Sequence, residues 1–344
     1  MAARSLRPSA AAASARRLLL YPFGMGRRFS AGFVSWMRAR RAVYLAPRLG
    51  VLNQYPPRPW SFPAPRWPGP APQSPPKISI VTPSFNQGQF LECTIRSVVD
   101  QGYQNLEYVI QDGGSTDDSV AILRRYSSRL SRWDSAADAG QAQAINRGFR
   151  HTCGEIMAWL NSDDLLLPHA LEYVARFFAA HPGIDVIYGH RLLIDQNDAE
   201  IGRWLLPPHS RQALIWADFI PQESLFWRRR AWESAGGGLD ESLQFALDWD
   251  LLFRFHNSGA SIARVPRFLA AFRVHPEQKT SRQLHDLGAR EVELLRRRYH
   301  GRSVSQEEVV RQLRGYMRMH VLYHYLHRLS WALATSNGKP RRGT

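Results

Sequence analysis

Between residues 78 and 188 two hydrophobic patterns alternate along the chain. Short β-branched apolar runs predict strands, and longer segments with apolar residues at helical spacing predict helices. The predicted strands are residues 78–82, 106–111, 132–133, 155–160 and 184–188. The predicted helices are residues 89–101, 116–126, 141–149 and 168–180. This alternation favours an α/β fold with a Rossmann-like, mainly parallel sheet flanked by helices.

Beyond residue 190 the pattern is mixed. It predicts strands at 223–227 and 261–265, a helix at 248–256, and C-terminal helices at 284–298 and 305–333. The last helix mixes aromatic, leucine, histidine and arginine residues. It fits either an amphipathic helix on a membrane surface or a helix packed on the α/β domain.

A proline-rich segment at residues 56–76 precedes the first strand. Because proline fixes φ and lacks a backbone donor, we expect an extended linker or a surface strap here. We therefore divide the chain into three parts. These are an Arg/Pro-rich N-terminal extension and linker at 1–76, an α/β domain at 77–281, and a basic helical C-terminal extension at 282–344.

Charge is informative once it is mapped along the chain. The 344 residues are 44% hydrophobic and 22% charged, as in globular proteins, and their net charge is +16. Residues 1–76 contribute +12 and residues 281–344 contribute +8, so the middle of the chain carries −4. A nucleic-acid-binding protein usually has its basic stripe on the folded domain, so no nucleic acid is expected. Basic flanks around an acidic domain fit an anionic membrane surface better.

Cysteine content and hydropathy bear on the compartment. Cys93 and Cys153 are too few for a disulfide framework, and we expect both to be buried thiols in a reducing cytoplasm. No run of ~18 apolar residues predicts a transmembrane helix. Residues 1–20 have too short an apolar core for a signal peptide, which leaves a transit peptide or an upstream start codon. The expected location is cytoplasmic, peripheral at the inner face of the cell membrane if the basic flanks bind it.

Polar clusters follow three of the predicted strands. They occupy residues 84–86, 112–118 and 161–164. Each cluster alone is compatible with an ordinary turn, since Asn, Asp, Gly and Ser are turn formers. Because ligands bind at the carboxyl ends of strands in open α/β sheets, three such clusters together predict a ligand site.

A set of motifs in a fixed order carries a family resemblance. They are VTPSFNQ at 81–87, QDGGSTD at 111–117, DAGQ at 138–141 with NRG at 146–148, WLNSDD at 159–164, LDWD at 247–250 and FRVH at 272–275. Residues 77–281 thereby resemble family 2 inverting glycosyltransferases of the bacterial polysaccharide-biosynthesis type, which have the GT-A fold. The resemblance implies metal-dependent transfer of a sugar from a nucleotide-diphosphate sugar to an acceptor hydroxyl, with Mn²⁺ or Mg²⁺ as cofactor.

The resemblance also implies which residues contact the donor. They are Thr82, Pro83, Asn86, Asp112, Asp138, Gln141, Asp163 and Gln222, with Glu223 beside the last. Asp112 would accept a hydrogen bond from the base or ribose, the alternative being a cap on the Gly-Gly turn that follows it. Asp117 and Asp118 are interpreted as first-turn acids of a helix and left out of the site.

The metal site is expected at residues 161–163, where the family has an Asp-X-Asp motif. Oxygen ligands suit Mg²⁺ and Mn²⁺, and the family pattern gives Asp163 direct contact with the metal. Asn161 departs from that pattern, because an amide is a neutral and weaker ligand. The resemblance brings His275 to the metal or the diphosphate from the far side, with Arg273 as a weaker phosphate candidate.

Inversion requires a base for the acceptor hydroxyl, and the resemblance implies Asp248 at the start of a helix. Asp250 and Arg254 are spaced i,i+4 and are expected to form a salt bridge, which leaves Asp248 free. The alternative for Asp248 is a helix N-cap. The basic run at 228–230 is interpreted as a solvated helix start.

Two other functions stay open. A nucleotidyltransferase would need a glycine-rich, basic loop after the first strand, where this chain has PSFN at 83–86. A non-enzymatic basic adaptor or nucleic-acid-binding protein on an inactive transferase fold would explain Asn161 and the net charge, but not the retained Asp112, Asp163, Asp248 and His275. We therefore expect a hexosyl or related sugar transferase in cell-surface polysaccharide or glycolipid assembly, with a glycan or lipid-linked acceptor.

Overall fold

The computed structural model describes residues 54–62, 65–279 and 284–336. For residues 284–285 and 328–336 only the backbone is described. Residues 1–53 of the N-terminal extension expected at 1–76, and the expected boundary near 281, lie outside the described residues. The division of the chain into three parts therefore stays a prediction.

Strands and helices alternate through the first half of the described chain. The strands are β1 (Ile78–Ser84), β2 (Leu106–Asp112), β3 (Arg132–Ser135), β4 (Ile156–Trp159), β5 (Leu165–Leu166), β6 (Val186–Ile194), β7 (Glu200–Trp204), β8 (Phe226–Arg228) and β9 (Ile262–Arg273). The helices are α1 (Gly88–Val99), α2 (Ser119–Tyr126), α3 (Gln141–Phe149), α4 (Ala170–Ala180), α5 (Arg211–Leu214), α6 (Arg229–Ser234), α7 (Leu247–Asn257), α8 (Ala289–His300) and α9 (Gln306–Ser336).

These strands form one sheet in the order β3-β2-β1-β4-β8-β6-β9-β5, with β7 paired to β6. The strands β3, β2, β1 and β4 are mutually parallel, as predicted. From β8 onward the sheet is mixed: β8 runs antiparallel to both β4 and β6, whereas β6 and β9 are parallel. The predicted α/β fold with a mainly parallel sheet is confirmed. The short strands β5 and β7 were not predicted.

The sheet is buried because helices cover both faces around β1, whose seven residues are all buried. Ile80 packs on one face with Leu91 and Ile95 of α1, and Val81 packs on the other with α3. At Gly148 of α3, an added Cβ would lie 2.4 Å from Val81 Cγ1. Only glycine lets α3 come this close, so the glycine of the NRG motif has a packing role.

Residues 54–62 run across the surface as a strap on β7. The backbones of Arg58 and Glu200 exchange two hydrogen bonds, of 3.0 and 2.8 Å. The Glu200 carboxylate is fully buried and accepts hydrogen bonds from Tyr55, Arg58 and Arg203. Burial works against ionisation, but these hydrogen bonds outweigh it and hold the pKa of Glu200 below its usual range. The sequence predicted either an extended linker or a surface strap, and residues 54–62 form a surface strap.

The C-terminal helices confirm the two predicted segments. A π-helical turn at Leu284–Gly288 leads into α8, and α9 extends over 31 residues. One face of α9 packs on the α/β domain, where the ring of Tyr316 lies 4.5 Å from that of Phe219. In the part of the chain that the structure describes, no helix is long and apolar enough to cross a membrane.

Several local expectations were wrong. Both cysteines are exposed, because Cys93 lies off the buried face of α1 and Cys153 lies in the turn before β4. Asp117 and Asp118 precede α2 and are not in its first turn, since that helix begins only at Ser119. The basic run at 228–230 was expected to be a solvated helix start. A helix does begin at Arg229, but Arg228 is buried and paired with Glu155 at 2.7 Å.

We expect Glu200→Gln to destabilise the protein by about 2–4 kcal/mol, because it removes a buried charge that two arginines pair with. The strap should also become more accessible to trypsin at Arg58. Urea unfolding and limited proteolysis would measure the two effects.

The matched control is Glu92→Gln, which removes a partly exposed carboxylate paired with Arg125 at 2.6 Å. It should cost less than about 1 kcal/mol. Equal losses in the two variants would show that the Glu200 cluster does not anchor the strap.

Candidate active site

A cavity of about 950 Å³ opens at the carboxyl ends of β1, β2 and β4. The parallel register places Ser84 beside Asp112 and Val81 beside Trp159, so the loops after these strands meet at one edge. Six of the predicted donor and catalytic residues line this cavity: Pro83, Asp138, Gln141, Asp163, Gln222 and Asp248.

Two residues predicted to contact the nucleoside serve the architecture of the loops. Thr82 is fully buried and shares a 3.0 Å hydrogen bond with the Tyr108 hydroxyl. Asn86 has a left-handed backbone (φ 51°), and its side-chain oxygen accepts a 2.9 Å hydrogen bond from the Thr116 backbone. Neither residue is part of the cavity lining. Their contact with a nucleoside stays a prediction.

Asp112 is also absent from the cavity lining and is 2% exposed. Its Oδ2 accepts hydrogen bonds from the backbone of Gly114 (3.2 Å) and Ser115 (2.9 Å) and from the Ser135 hydroxyl (2.6 Å). This geometry is the turn cap that the sequence left as the alternative. Gly114 has a φ of 81°, a conformation that suits glycine at this turn.

Asp163 and His275 form the candidate metal centre. The Asp163 Oδ2 atom lies 3.0 Å from His275 Nε2, although the two residues are 112 positions apart. His275 is 3% exposed, and its ring packs 4.7 Å from that of Phe90. One carboxylate and one imidazole in contact form a donor set that suits a divalent cation.

Arg273 supports this pair through a hydrogen bond to the backbone of Asp163. It is 1% exposed, and its Nε donates to the Asp163 carbonyl at 2.8 Å. Its Nη1 pairs with the Asp198 carboxylate at 2.6 Å. The guanidinium is buried and Arg273 is not part of the cavity lining, so a contact with phosphate stays a prediction.

A bidentate ion pair between Arg191 and Glu223, with N–O distances of 2.8 and 2.9 Å, lies in the cavity wall. Two carboxyls of the same wall have perturbed acidity. Burial and repulsion from Asp163 raise the pKa of Asp164 well above its usual value. Burial and repulsion from Asp248 likewise raise the pKa of Asp218 well above its usual value. The wall therefore concentrates acidic groups around one arginine.

Asp248 projects into the cavity from the first turn of α7. Burial raises its pKa to about 6, against hydrogen bonds from the Trp249 and Asp248 backbone N–H groups. Asp250 of the same turn is fully engaged: it pairs with Arg254 at 2.8 Å, as predicted, and accepts a 2.9 Å hydrogen bond from Tyr299. Of the two acids in this turn, Asp248 is the one that faces the cavity.

Sequence reasoning missed five charged residues that line the cavity: Arg191, Asp218, Glu241, Glu277 and Lys279. Arg191 and Asp218 had a local signal, because a charge inside an otherwise apolar run is unusual unless it is paired or functional. Lys279 had none, since its partners Gln141 and Gln244 are distant in the sequence.

Comparison with known proteins identifies a family for the central part of the chain. Residues 79–231 match the glycosyl transferase family 2. An uncharacterized glycosyltransferase of Nostoc sp. is 33% identical over 36% of this chain and 39% of its own length. One of Rickettsia typhi is 27% identical over 62% of this chain and 68% of its own length. The O-antigen biosynthesis protein RfbC of Myxococcus xanthus is 31% identical over 55% of this chain. The matched region is only 15% of the length of RfbC.

Two solved structures share the fold. S. aureus TarS 1-349 in complex with UDP-GlcNAc aligns with a TM-score of 0.56 at 17% identity, over 72% of this chain and 73% of that chain. A mannosyltransferase from Pyrobaculum calidifontis in complex with GDP-Man and Mn²⁺ aligns with a TM-score of 0.53 at 16% identity, over 90% of this chain and 84% of that one. The chain therefore carries a family 2 glycosyltransferase domain with the GT-A fold, as the motifs predicted.

The raised pKa of Asp248 predicts that this residue costs stability. Below its ordinary pKa of 3.8 the carboxyl is protonated in both states and costs nothing, whereas above pH 6 the folded state must hold the ionised form. Asp248→Asn should therefore stabilise the protein by about 1–3 kcal/mol above pH 6, with the gain vanishing near pH 4. Calorimetric melting at pH 4.5 and pH 8 measures this difference.

Asp250→Asn is the matched control in the same helical turn. It breaks contacts with Arg254 and Tyr299 and should lower the melting temperature at pH 8. A loss of stability in Asp248→Asn at pH 8 would contradict the assignment of a destabilising, ionised Asp248.

Proposed function

We propose that this chain, with its family 2 glycosyltransferase domain at residues 79–231, transfers a sugar with inversion from a nucleotide-diphosphate donor to an acceptor hydroxyl. One observation carries the proposal: the same cavity is lined by Asp163, which contacts His275, and by Asp248, whose pKa is raised to about 6. The UDP-GlcNAc and GDP-Man complexes of the two structural relatives support the class of donor.

Asp163 and His275 would hold a divalent metal, Mn²⁺ or Mg²⁺, together with oxygens of the donor. Among the described residues, no group of three or more His, Cys, Asp and Glu side chains could hold a metal ion. Two protein ligands are sufficient where diphosphate oxygens and water complete the coordination shell. The bound metal would neutralise the charge that develops on the leaving diphosphate. The Mn²⁺ in the complex of the Pyrobaculum enzyme supports this cofactor.

Asp248 would act as the base on the acceptor side. Its carboxylate takes the proton of the acceptor hydroxyl while the hydroxyl oxygen forms a bond to the anomeric carbon. The bond from that carbon to the diphosphate oxygen breaks, and the departing nucleoside diphosphate keeps the electron pair. Because attack comes from the face opposite the leaving group, the configuration inverts. A pKa of about 6 leaves Asp248 ionised at neutral pH yet more basic than an ordinary aspartate.

The acceptor is proposed to be a glycan or a lipid-linked sugar. The partly exposed aromatic residues Trp204 and Phe245 line the same cavity as Asp248. Such rings offer flat apolar surfaces on which sugar rings can pack. The similarity to an O-antigen biosynthesis protein supports a role in cell-surface polysaccharide or glycolipid assembly.

We further propose an anionic membrane surface as a partner, bound through the outward face of α9. That face exposes a basic and apolar row: Arg311, Arg314, Arg318, Met319, Leu322, Tyr325 and Leu326. The opposite face is buried against the domain, and no acidic residue follows Glu308 in the sequence. Basic and apolar side chains on one helical face suit the boundary between anionic headgroups and acyl chains. The enzyme would then act at the cytoplasmic side of the cell membrane.

Calorimetric titration of the full chain with UDP, GDP and dTDP, each with and without Mn²⁺, tests the donor site. We expect one nucleotide to bind in a metal-dependent manner, and Asp163→Ala to weaken that binding at least about tenfold because a charged ligand is lost. Asp248→Asn should bind the same nucleotide as the wild type. Its rate of nucleoside diphosphate release from the matching sugar donor should fall by about 10²–10⁴-fold.

Two results would contradict the proposal. A folded wild-type chain that binds none of the three nucleotides would favour a non-enzymatic adaptor. Full turnover in Asp248→Asn would remove the base from the mechanism while leaving the donor site intact.

Sedimentation with vesicles tests the membrane surface. The wild type should bind phosphatidylglycerol vesicles more tightly than phosphatidylcholine vesicles and dissociate at high salt. Leu322→Glu should weaken binding about tenfold, since it places a charge where an apolar side chain inserts.

Leu294→Glu is the matched control, because Leu294 is a similarly exposed leucine on α8 (47% against 52% for Leu322). Equal binding to both kinds of vesicle, or equal losses in the two variants, would exclude this face of α9. A change of oligomeric state in Leu322→Glu would assign the face to contact between copies and overturn the proposal.

A further inference from the structure

Four polar side chains form a continuous hydrogen-bonded chain along the cavity wall. Lys279 Nζ donates to Gln141 Oε1 at 2.9 Å, and Gln141 Nε2 donates to Asn161 Oδ1 at 2.7 Å. Asn161 Nδ2 then donates to Gln222 Oε1 at 3.1 Å. The four residues come from four separate segments, so the chain ties the start of α3, the loop after β4, the 3₁₀ turn at Gln222–Ser224 and the segment after β9 together.

The groups at the two ends fix the direction of every bond in this chain. An ammonium group only donates, so the Gln141 atom that faces Lys279 is the oxygen. At the other end, Gln222 Nε2 donates to the Trp159 carbonyl at 2.9 Å, and a carbonyl only accepts. Asn161 lies between them and must accept on one side and donate on the other. Only an amide satisfies both neighbours.

A carboxylate at position 161 would interrupt this row of hydrogen bonds. Besides Gln222 Oε1, the Asn161 Nδ2 group also faces Asp164 Oδ2 at 3.3 Å. An aspartate here would therefore place one acceptor against two others, one of them acidic. Position 161 is the position at which the family motif has an acid, so the structure gives a physical reason for the departure.

Lys279 is the cation that this row of hydrogen-bonded side chains presents to the cavity. Its two hydrogen-bond partners are neutral, namely the Gln141 amide oxygen and the Gln244 carbonyl at 3.1 Å. Arg191, the other cationic residue in the described lining, is neutralised by Glu223. Burial lowers the pKa of Lys279, while Glu291, Asp163 and Asp138 counteract that effect. Among the described residues, the ammonium is therefore held by two neutral partners in the same cavity as Asp163, and no paired carboxylate balances its charge.

We propose that Asn161 supplies no ligand to the metal and is instead a positioning residue that holds Lys279 as a second cation for the donor diphosphate. The inference rests on the proposed function. A nucleoside diphosphate carries roughly three negative charges, and one divalent metal with one ammonium balances them. The site would thus replace a carboxylate of the family motif with a fixed amide and a lysine.

The experiment measures nucleoside diphosphate affinity by calorimetry, in Mn²⁺ and in EDTA, for the full chain and its variants. Lys279→Met should weaken binding about 10–100-fold in Mn²⁺ and by a similar factor in EDTA, because a charge-assisted hydrogen bond is lost. Lys279→Arg should restore most of the affinity, and binding of the nucleoside alone should not change. Lys77→Met, at the other described lysine, should have no effect.

Asn161→Asp distinguishes a positioning residue from a weakened metal ligand. We expect it to lower diphosphate affinity about tenfold, with no gain in Mn²⁺ affinity measured by electron paramagnetic resonance on the nucleotide complex. Tighter Mn²⁺ binding with diphosphate affinity kept would make position 161 a metal ligand and overturn the inference. Unchanged affinity in Lys279→Met would overturn it as well. A folded wild type that binds no nucleotide would refute the proposed function together with this inference, whereas a wild type that binds normally isolates the failure to Lys279 and Asn161.

Discussion

The parallel register of β1 with β2 and β4 is the constraint on which the site depends. A parallel strand must return by a crossover, so the loops that follow β1, β2 and β4 all leave the sheet at the same edge. Val81 lies beside Trp159 and Ser84 beside Asp112 in this register. A slip of one residue would turn each buried strand residue to the opposite face and separate the polar loops. Close contacts such as Gly148 on Val81 hold the register, so the packing of the core and the assembly of the cavity have the same cause.

The cavity that results is rich in carboxyl groups, and this excess has an energetic consequence. Asp164, Asp218 and Asp248 all have raised pKa values, because enclosure and mutual repulsion oppose their ionisation. A fold that keeps such groups ionised is less stable than it would be with neutral residues in their place. In the proposed reaction one of these groups has a use that offsets its cost, since Asp248 removes the proton of the acceptor hydroxyl. Arg191 limits this effect, because its positive charge lowers the pKa values of all three carboxyls.

The sequence predicts much of the fold and the main acidic residues of the site, because strands, helices and short motifs are local signals. The alternating pattern located β1 to β4, and the LDWD motif located Asp248 in the cavity wall. What it missed depends on contacts between distant segments. For Asp112 the sequence left a turn cap and a nucleoside ligand open, because both have the same local sequence; the structure shows hydrogen bonds from Gly114, Ser115 and Ser135, and contact with a nucleoside stays a prediction. Cys93 lies on an outward face that composition does not reveal. The roles proposed for Lys279 and Asn161 depend on hydrogen bonds that involve Gln141 and Gln222, which are close in space but distant in the sequence.

Helix α9 connects the cavity to the outer surface of the protein. Its buried face contacts two aromatic residues of the cavity lining: Tyr316 packs on Phe219, and His320 accepts a 2.9 Å hydrogen bond from Trp204. Its outward face carries the arginines and the leucines assigned to the membrane. A helix that binds a bilayer on one face and supports the acceptor wall on the other fixes the direction from which an acceptor can arrive. A lipid-linked sugar would then reach Asp248 from the bilayer, whereas the nucleotide donor would enter from the β1–β2 side of the cavity.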